Sequence, residues 1–357
     1  MKPQCILFIP VSSTSGIGEY MRSMIIAKAL LARCPGSTIH FILNEKVSYL
    51  DNCPYEVHLT KSSPTKNSKF VNRVISQLKP DLVLFDASGR GDQFKQAKNV
   101  GAKVTFISQH KKKRSRGLKI NRLLYTDKHW VVQPDYCMKA LSGWQKTKLS
   151  FLKKQLPENI GPVFQTSTEK DQYDILCKLN LVGKDFFLFN AGSGGHYVSG
   201  VLATDIYYQV AQSFYQKTKV KCVVIFGSNY PKDIPIDSDV ICLKALENEE
   251  YIALLSKATG RVICSGDTLL QCIALHKPSV ASSVSSDQPA RLKLCAEKGL
   301  VLAAEPTFDS LIRHSLLLAN RKMNTYNELL SNMTKEAPLK ALTVIVDDIM
   351  NLLSDYD

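Results

Sequence analysis

Short apolar runs alternate with stretches of helical periodicity along the whole chain. The apolar runs predict buried strands, which we place at 4–11, 38–43, 82–86, 104–107, 129–136, 186–190, 221–229, 261–264 and 279–281. Helical spacing of apolar residues follows most of them, first over Glu19–Arg33 and then over Lys69–Leu78. Strands that alternate with helices are typical of α/β proteins with parallel sheets. The pattern breaks at 159–164 and then restarts, so we predict two α/β domains, 1–160 and 161–340, followed by a terminal helix over 341–357.

The amino-acid composition also indicates the cellular compartment. The 357 residues are 45% hydrophobic and 22% charged, as in a soluble globular protein, and no run of about 18 apolar residues predicts a membrane span. The N-terminus enters a strand directly, and the ten cysteines are scattered through apolar segments. We therefore expect a cytoplasmic protein whose thiols are reduced.

Charge is divided unevenly between the two halves. Residues 1–160 contain 27 Lys and Arg against 10 Asp and Glu, whereas residues 161–357 contain 19 against 22. A first half at +17 predicts an anionic partner, such as a phosphorylated acceptor, an anionic glycan, a membrane surface or nucleic acid. The densest stretch is 110–122, where seven of thirteen residues are Lys or Arg. No aromatic residue for base stacking lies between Lys111 and Leu124, which disfavours nucleic acid.

The position of this basic stretch favours binding over simple solvation. It follows a predicted strand, as do the segments 12–22 and 86–92, and the carboxyl ends of parallel strands meet at one edge of a sheet. We predict a loop at 110–122 that binds phosphate or carboxylate groups of an acceptor or touches a membrane surface, with a solvated charge run as the alternative. A second basic stretch, 143–155, is amphipathic and could contact a membrane surface, although we favour a packed helix.

Two glycine-rich turns in the second half are suited to phosphate. Gly266 permits a tight turn between a strand and a helix, and backbone N–H groups at a helix start attract an anion. The loop NAGSGG, which ends at Gly195, also follows a strand and lets backbone amides approach an anion. It lacks the Gly-Lys-Ser/Thr of a nucleoside triphosphatase loop, which argues against ATP hydrolysis.

The order of parts from Gly260 to Gly299 resembles the donor half of the GT-B glycosyltransferases. Among these it is most similar to the UDP-sugar hydrolase of pseudaminic acid biosynthesis and to the peptidoglycan N-acetylglucosaminyl transferase. The resemblance implies two Rossmann-like domains that face a cleft, with the terminal helix packed back on the first domain. It also implies a nucleotide-sugar site formed by Gly18, Ser193, Gly194, Gly195, Gly227, Asn229, Gly266, Asp267, Thr268, Gln271, Asp287 and Gln288. Gln271 replaces a ribose-binding Glu, and an amide offers one acceptor and one donor where a carboxylate offers two acceptors.

The same resemblance assigns roles in the first half. Gly16, Gly18, Glu19 and Arg22 match a Gly-x-Gly-His-x-x-Arg loop in which Glu19 replaces the catalytic His. Glu19 and Asp86, which ends a buried strand, are the candidate catalytic bases. Their alternatives are structural, a first-turn helix carboxylate for Glu19 and a loop-ordering carboxylate for Asp86. The acceptor-binding candidates are Arg22, His110, Lys111, Lys112, Lys113, Arg114 and Arg116.

The implied function is an inverting glycosyltransferase that needs no metal and no cofactor. It would move a sugar from a nucleotide-diphosphate donor to an anionic or lipid-linked glycan acceptor in bacterial-type surface polysaccharide synthesis, with peripheral contact to the cytoplasmic face of a membrane. Helix N-termini can stabilise the leaving diphosphate without a metal ion. The alternatives are a nucleotide-sugar hydrolase or epimerase on the same fold, and a non-catalytic nucleotide-sugar-binding protein.

Overall fold

The chain folds into two compact units. The computed structural model describes residues 2–11, 17–47, 50, 53–320, 323–336 and 339–354. Unit 1 comprises Met1–Val163 together with Lys340–Asp357, and unit 2 comprises Phe164–Leu339. No helix among the described residues is both long enough and apolar enough to cross a membrane.

Unit 1 is built on a parallel sheet of seven strands in the order β3-β2-β1-β4-β5-β6-β7. Its strands are β1 (Cys5–Pro10), β2 (Thr38–Asn44), β3 (Glu56–Thr60), β4 (Leu82–Asp86), β5 (Lys103–Ser108), β6 (Lys128–Val131) and β7 (Glu158–Asn159). Its first six helices are α1 (Gly18–Arg33), α2 (Ser68–Leu78), α3 (Gly91–Asn99), α4 (Lys111–Gly117), α5 (Ile120–Leu123) and α6 (Gly143–Phe151). The strand order reverses between β1 and β4, and ligands of open α/β sheets bind at such a point.

The sheet of unit 1 is buried on both faces, which explains the continuous apolar runs of its central strands. Alternate residues of β1 enter different cores, with Phe8 in a cluster that includes α1 and Ile9 in a cluster that includes α2. Phe8 stacks on Phe41 with 5.1 Å between ring centroids, and Phe85 stacks on Phe94 at 4.2 Å. The ends of β1 and β4 are therefore fixed within a packed core.

Unit 2 is likewise built on a parallel sheet, here of six strands in the order β12-β11-β8-β13-β14-β15. Its strands, with a small antiparallel hairpin of β9 and β10, are β8 (Phe186–Asn190), β9 (Tyr197–Val198), β10 (Val201–Leu202), β11 (Lys221–Ile225), β12 (Val240–Leu243), β13 (Gly260–Cys264), β14 (Val280–Ser282) and β15 (Leu302–Ala303). Its helices are α7 (Glu169–Lys178), α8 (Ala203–Thr218), α9 (Asn248–Lys257), α10 (Asp267–Ala274), α11 (Pro289–Glu297), α12 (Phe308–Ala319) and α13 (Thr325–Thr334). Here the strand order reverses between β8 and β13.

The terminal helix α14 (Ala341–Ser354) belongs to unit 1. Its residues Ile345 and Ile349 are buried in the same cluster as Trp130 of β6. The indole Nε1 of Trp130 donates to Asp348 Oδ2 at 2.8 Å, and Lys128 Nζ lies 2.9 Å from the same oxygen. Apolar packing and a part-buried hydrogen bond thus hold α14 on unit 1.

Two local predictions are wrong. The segment between the strand predicted at 38–43 and the helix predicted at Lys69–Leu78, to which we assign no strand from the sequence, contains β3, an edge strand whose polar, half-exposed residues give no apolar run. The predicted loop at 110–122 instead forms α4 and α5, and Gly117 at the end of α4 packs so closely on Phe106 that a Cβ there would lie 2.6 Å from the ring. After the pattern break predicted at 159–164 the chain enters α7, which Thr168 begins by accepting from Asp171 N at 3.1 Å.

Candidate functional site

The turn from β13 to α10 lies at the point in unit 2 where the strand order reverses. Gly266 is the N-cap residue of α10, and no side-chain cap is found for it in the described part of the chain. The first N–H groups of a helix have no partner within the helix, and the helix dipole makes this end positive. The start of α10 is therefore suited to an anion.

A hydrogen-bonded set of side chains joins this turn to the end of β8. The hydroxyl of Tyr251 lies 3.2 Å from Asn190 Oδ1 and 3.2 Å from Thr268 Oγ1. The amide of Asn190 in turn donates to Ile225 O at 2.9 Å. Burial raises the pKa of the Tyr251 hydroxyl, which keeps it protonated. Thr268 is thus held in place at the start of α10 by a side chain from α9.

Gln271 stands one turn further along α10 with an unused acceptor. Its Oε1 atom is buried and has no hydrogen-bond partner among the described residues. A buried polar atom without a partner costs about 1–3 kcal/mol, so such atoms are rare unless a ligand or water completes them. The buried Oε1 of Gln271 is therefore suited to accept a hydrogen bond from a hydroxyl group.

The two glycine-containing loops after β8 and β11 pack directly against each other. Asn229 N donates to Ser193 O at 2.8 Å. Gly194 and Gly227 have φ of +93° and +92°, and a Cβ on either would lie 2.3 Å from backbone atoms of the opposite loop. Any side chain at Gly194 or Gly227 would therefore clash with the opposite loop, whereas Gly195 is exposed and its backbone can approach a ligand.

The loop from β14 to α11 contributes Asp287 and Gln288, and α11 itself contributes Arg291, which the sequence did not predict as a site residue. Gln288 is buried, and its Oε1 accepts from Val284 N at 2.8 Å, so its amide orders the loop. Asp287 is exposed and accepts from Ser285 Oγ at 2.6 Å. Arg291, which is 8% exposed, donates to Ser265 O at 3.0 Å and lies 3.7 Å from Asp267. It places a positive charge beside the start of α10.

Unit 1 carries a buried ion pair at its own point of strand reversal. Arg22 donates through Nε to Asp86 Oδ2 at 2.8 Å and through Nη2 to Asp86 Oδ1 at 2.7 Å. With its amide oxygen turned toward the guanidinium, Gln109 accepts from Arg22 Nη1 and Nη2 at 3.1 and 2.8 Å. Burial raises the pKa of Asp86 to about 6, although Arg22 opposes this shift. Since both carboxylate oxygens are bound, the geometry favours a positioning role for Asp86 over a role as base.

Glu19 is the more accessible carboxylate of this edge. It lies in the first turn of α1, after Gly18, and is half-buried; Gly16 of the same motif lies outside the described residues. Lys113 lies within electrostatic range of both Glu19 and Asp86, and its Nζ donates to Ala87 O at 3.0 Å. Burial lowers the pKa of Lys113. The carboxylate of Glu19 therefore faces a cation and retains access to solvent.

The basic residues of α4 and α5 divide into two groups. Arg114 is buried and donates to Lys139 O at 2.5 Å, and Arg122 donates to Gly89 O while its guanidinium lies 5.7 Å from the Phe94 ring centroid. These two arginines hold loops in place. The exposed group includes Lys111, Lys112 and Arg116 of α4 and Lys119 at the N-cap of α5, and His110 precedes it at the N-cap of α4.

The amphipathic segment 143–155 contains α6, which packs on one side only. Leu149 is buried in a small cluster with Leu118 and Leu123. Trp144 and Phe151 remain 74% and 85% exposed, and their spacing of seven residues puts them on one face of the helix. The prediction of a packed helix is thus correct for Leu149 and wrong for the two aromatic residues.

Among the residues that the structure describes, one group of three metal-ligating side chains is found. It consists of His40, Glu56 and His58 on β2 and β3. Sequence reasoning missed it because β3 was not predicted. Tyr251, Asn190 and Arg291 were missed as well, and of these Asn190 alone had a signal, as a polar residue that ends an apolar run.

The chain matches no protein-family model and no curated protein. It is similar to the glycotransferase of kitacinnamycin, with 14% identity, 99% of this chain and 100% of that chain covered, and a TM-score of 0.65. It is also similar to CalG4, the calicheamicin glycosyltransferase, with 13% identity, 100% of both chains covered and a TM-score of 0.61. A third similar structure is the UDP-GlcNAc 2-epimerase of Neisseria meningitidis bound to UDP-GlcNAc, with 13% identity, 97% and 100% covered, and a TM-score of 0.58.

These likenesses extend over almost the whole chain and establish its fold. The predicted fold class, α/β with two Rossmann-like domains of the GT-B type, is confirmed. The recognised resemblance to the GT-B superfamily is confirmed at the level of fold. At this identity the comparisons carry no residue roles.

Proposed function

We propose that the protein is a GT-B glycosyltransferase that uses a nucleotide-diphosphate sugar. In this proposal the donor binds to unit 2, with its diphosphate at the start of α10 beside Thr268 and Arg291 and its ribose against Gln271. The observation that carries it is the buried Oε1 of Gln271, which has no partner in the described chain and suits a ribose hydroxyl. The printed names of the similar structures, glycosyltransferases and an epimerase bound to UDP-GlcNAc, support the same donor class.

The proposed reaction inverts the sugar carbon and uses Glu19 as base. The acceptor hydroxyl gives its proton to Glu19 while its oxygen forms a bond to the sugar carbon, and the bond from that carbon to the diphosphate oxygen breaks. The positive end of α10 and the guanidinium of Arg291 stabilise the leaving diphosphate. Glu19 is chosen over Asp86 because Arg22 occupies both oxygens of Asp86.

The proposed acceptor is an anionic, lipid-linked glycan at a membrane surface. Residues 111–154 contain 13 Lys and Arg against two Asp, and α6 exposes Trp144 and Phe151 within this stretch. Exposed aromatic residues among basic side chains are typical of proteins that bind anionic lipid surfaces from one side. Lys111, Lys112 and Arg116 would then contact the acceptor's phosphate or carboxylate groups.

The donor proposal is tested by thermal-shift measurements with a panel of nucleoside diphosphates and nucleotide-sugars. A ligand that binds only the folded state raises the melting temperature, so one nucleotide should stabilise the wild type. Thr268→Ala/Gln271→Ala should lose that shift. No shift with any nucleotide would exclude the donor site, and turnover that Glu19→Gln leaves unchanged would exclude Glu19 as base.

The membrane part of the proposal has its own test. Flotation with phosphatidylglycerol vesicles should recover the wild type, and Trp144→Ala/Phe151→Ala should reduce recovery several-fold. Tyr173→Ala, which removes an aromatic residue that is 60% exposed in unit 2, is the matched control and should bind as the wild type does. Equal recovery with neutral phosphatidylcholine vesicles would exclude a role for the basic residues.

A second candidate is a nucleotide-sugar epimerase, which the likeness to the UDP-GlcNAc 2-epimerase favours. An epimerase needs no acceptor. Product analysis by NMR with the nucleotide-sugar alone separates the two candidates, since an epimerase would convert the sugar without any added acceptor.

A further inference from the structure

Three side chains that commonly bind metals converge at the edge of the unit 1 sheet. His40 Nδ1 and His58 Nε2 lie 3.3 Å apart. Glu56 reaches both rings, with Oε2 at 3.5 Å from His40 Nδ1 and Oε1 at 3.7 Å from His58 Nε2. The group contains two imidazoles and one carboxylate.

The sheet register produces this arrangement. β2 and β3 are parallel, with His40 opposite Glu56 and Ile42 opposite His58. Opposite residues of neighbouring strands share a face of the sheet, and residues two apart on one strand share a face as well. All three side chains therefore project from the same face, and the backbone of two strands fixes their spacing.

The distances fit a bound transition metal. Zn²⁺ binds His nitrogen and carboxylate oxygen at about 2.0–2.2 Å, and tetrahedral geometry then holds two ligand atoms about 3.3–3.5 Å apart. The separations of 3.3, 3.5 and 3.7 Å in the group lie at or near this range. Imidazole with carboxylate is a donor set that suits Zn²⁺ and its neighbours in the first transition row.

The chemistry of the converging atoms also favours a cation. Two ring nitrogens and two carboxylate oxygens converge on one region, and His40 is 8% exposed. A single proton shared between the rings satisfies one pair of these atoms, whereas a metal ion accepts electron pairs from all three residues. Glu56 is 64% exposed, so an ion could enter from the solvent side.

We propose that His40, Glu56 and His58 bind one divalent transition metal ion of the Zn²⁺ class, which joins the edge strand β3 to β2. The group lies toward the amino ends of its strands, and four residues separate His40 from the carboxyl end of β2, a distance of about 13 Å. The ion is therefore structural, and the proposal does not depend on the proposed transfer reaction. A bound ion would keep an exposed edge strand in register.

The test is calorimetric titration of the chelator-treated, full-length protein with ZnCl₂. We expect one Zn²⁺ per chain for the wild type and at least about tenfold weaker binding for Glu56→Gln and for His58→Asn, since even outer-shell changes cost 10–100-fold. Glu56 is largely exposed, so Glu56→Gln will fold even where a histidine variant does not. His276→Asn is the matched control, because it removes a half-buried imidazole of unit 2 at φ +54°, where Asn is tolerated.

The absorption spectrum with Co²⁺ in place of Zn²⁺ identifies the ligands. The proposal expects visible bands of a four- or five-coordinate site that are lost in Glu56→Gln and His58→Asn and retained in His276→Asn. Ligand-to-metal bands typical of thiolate would assign the ion to cysteine and overturn the proposal. Absence of Zn²⁺ binding by the wild type, or equal binding by Glu56→Gln, would overturn it too and leave a hydrogen-bonded triad.

Discussion

The carboxyl edges of the two units use their polar groups in opposite ways. In unit 1 the polar groups bind each other: Arg22 takes both oxygens of Asp86, and Arg114 and Arg122 bind backbone carbonyls. In unit 2 the turn at Gly266 leaves a helix start without a side-chain cap in the described chain, and Gln271 keeps an unused acceptor.

This difference changes what the uneven charge means. Unit 1 is strongly basic, yet part of that charge fixes loops and is not available to a partner. The exposed cations of that edge include Lys111, Lys112 and Arg116. Charge counted along a sequence thus overestimates the anion-binding surface, whereas the proposed donor site rests on a buried acceptor without net charge, Gln271 Oε1.

The largest effect that tests this comparison is expected at Asp86. Asp86→Ala leaves the guanidinium of Arg22 buried without its carboxylate, which should lower the free energy of unfolding of unit 1 by about 3–5 kcal/mol. Both tryptophans, Trp130 and Trp144, lie in unit 1, so tryptophan fluorescence during urea unfolding follows this unit alone.

The control replaces the pair as a whole. Arg22→Met/Asp86→Leu fills similar volume with apolar side chains, and such replacements are often neutral or stabilising. A double variant as unstable as Asp86→Ala would mean that the pair stabilises unit 1 through its charges, against the expectation.

A smaller loss is expected in unit 2 at Gly227. Gly227→Ala adds a Cβ 2.3 Å from the Ser193 carbonyl carbon at φ +92°, and strain together with overpacking should cost about 2–4 kcal/mol. Gly200→Ala is the control, since its φ is +82° but no atom lies within 4 Å of the added Cβ. Hydrogen exchange of the β8 and β11 amides should show faster opening in Gly227→Ala than in Gly200→Ala. Equal rates would exclude close loop packing as the reason for the glycine.

The elements that could be predicted from the sequence are those that are buried on both faces. Strands that are buried on both faces have continuous apolar sequences, and this made β1, β4, β8 and β13 predictable. The edge strand β3 could not be predicted in this way, because its side chains are mostly exposed or half-buried and form no apolar run. The helix α7 had a readable signal, Thr168 followed three residues later by Asp171, which is a capping box.

The candidate site was predictable only in part. Strand ends and glycine turns indicate where a parallel sheet presents its ligands, which led to Asp86 and Gly266. The sequence could not show that Arg22 occupies both oxygens of Asp86, or that Arg291 from α11 reaches the start of α10. These contacts join residues that are far apart in the sequence, so the pattern of apolar and polar positions does not reveal them.

The pH dependence of unit 1 should give an effect of up to about 3 kcal/mol, at about 1.4 kcal/mol per pKa unit. The pKa of Asp86 in the folded state is about 6, above its ordinary value of 3.8. Between these values the folded chain binds a proton that the unfolded chain does not, so the group adds stability as the pH falls from 6 to 4. Urea unfolding at several pH values should show the wild type gaining stability relative to Arg22→Met/Asp86→Leu over this window. A constant difference would contradict the raised pKa.

The smallest expected effect, and the one that separates binding from stability, is at Gln271. Gln271→Leu removes a buried acceptor that has no partner in the described chain, so the free energy of unfolding should rise by about 1 kcal/mol while nucleotide affinity falls. The matched control is Gln212→Leu on α8, whose amide donates to Tyr208 and Asp237 at 3.0 and 2.9 Å and whose loss should destabilise unit 2. Circular dichroism on thermal unfolding and calorimetric titration with nucleotide measure the two effects. A destabilised Gln271→Leu would mean that the amide serves the fold, whereas a stabilised variant with weakened nucleotide binding would mean that unit 2 keeps this acceptor for its ligand at the expense of stability.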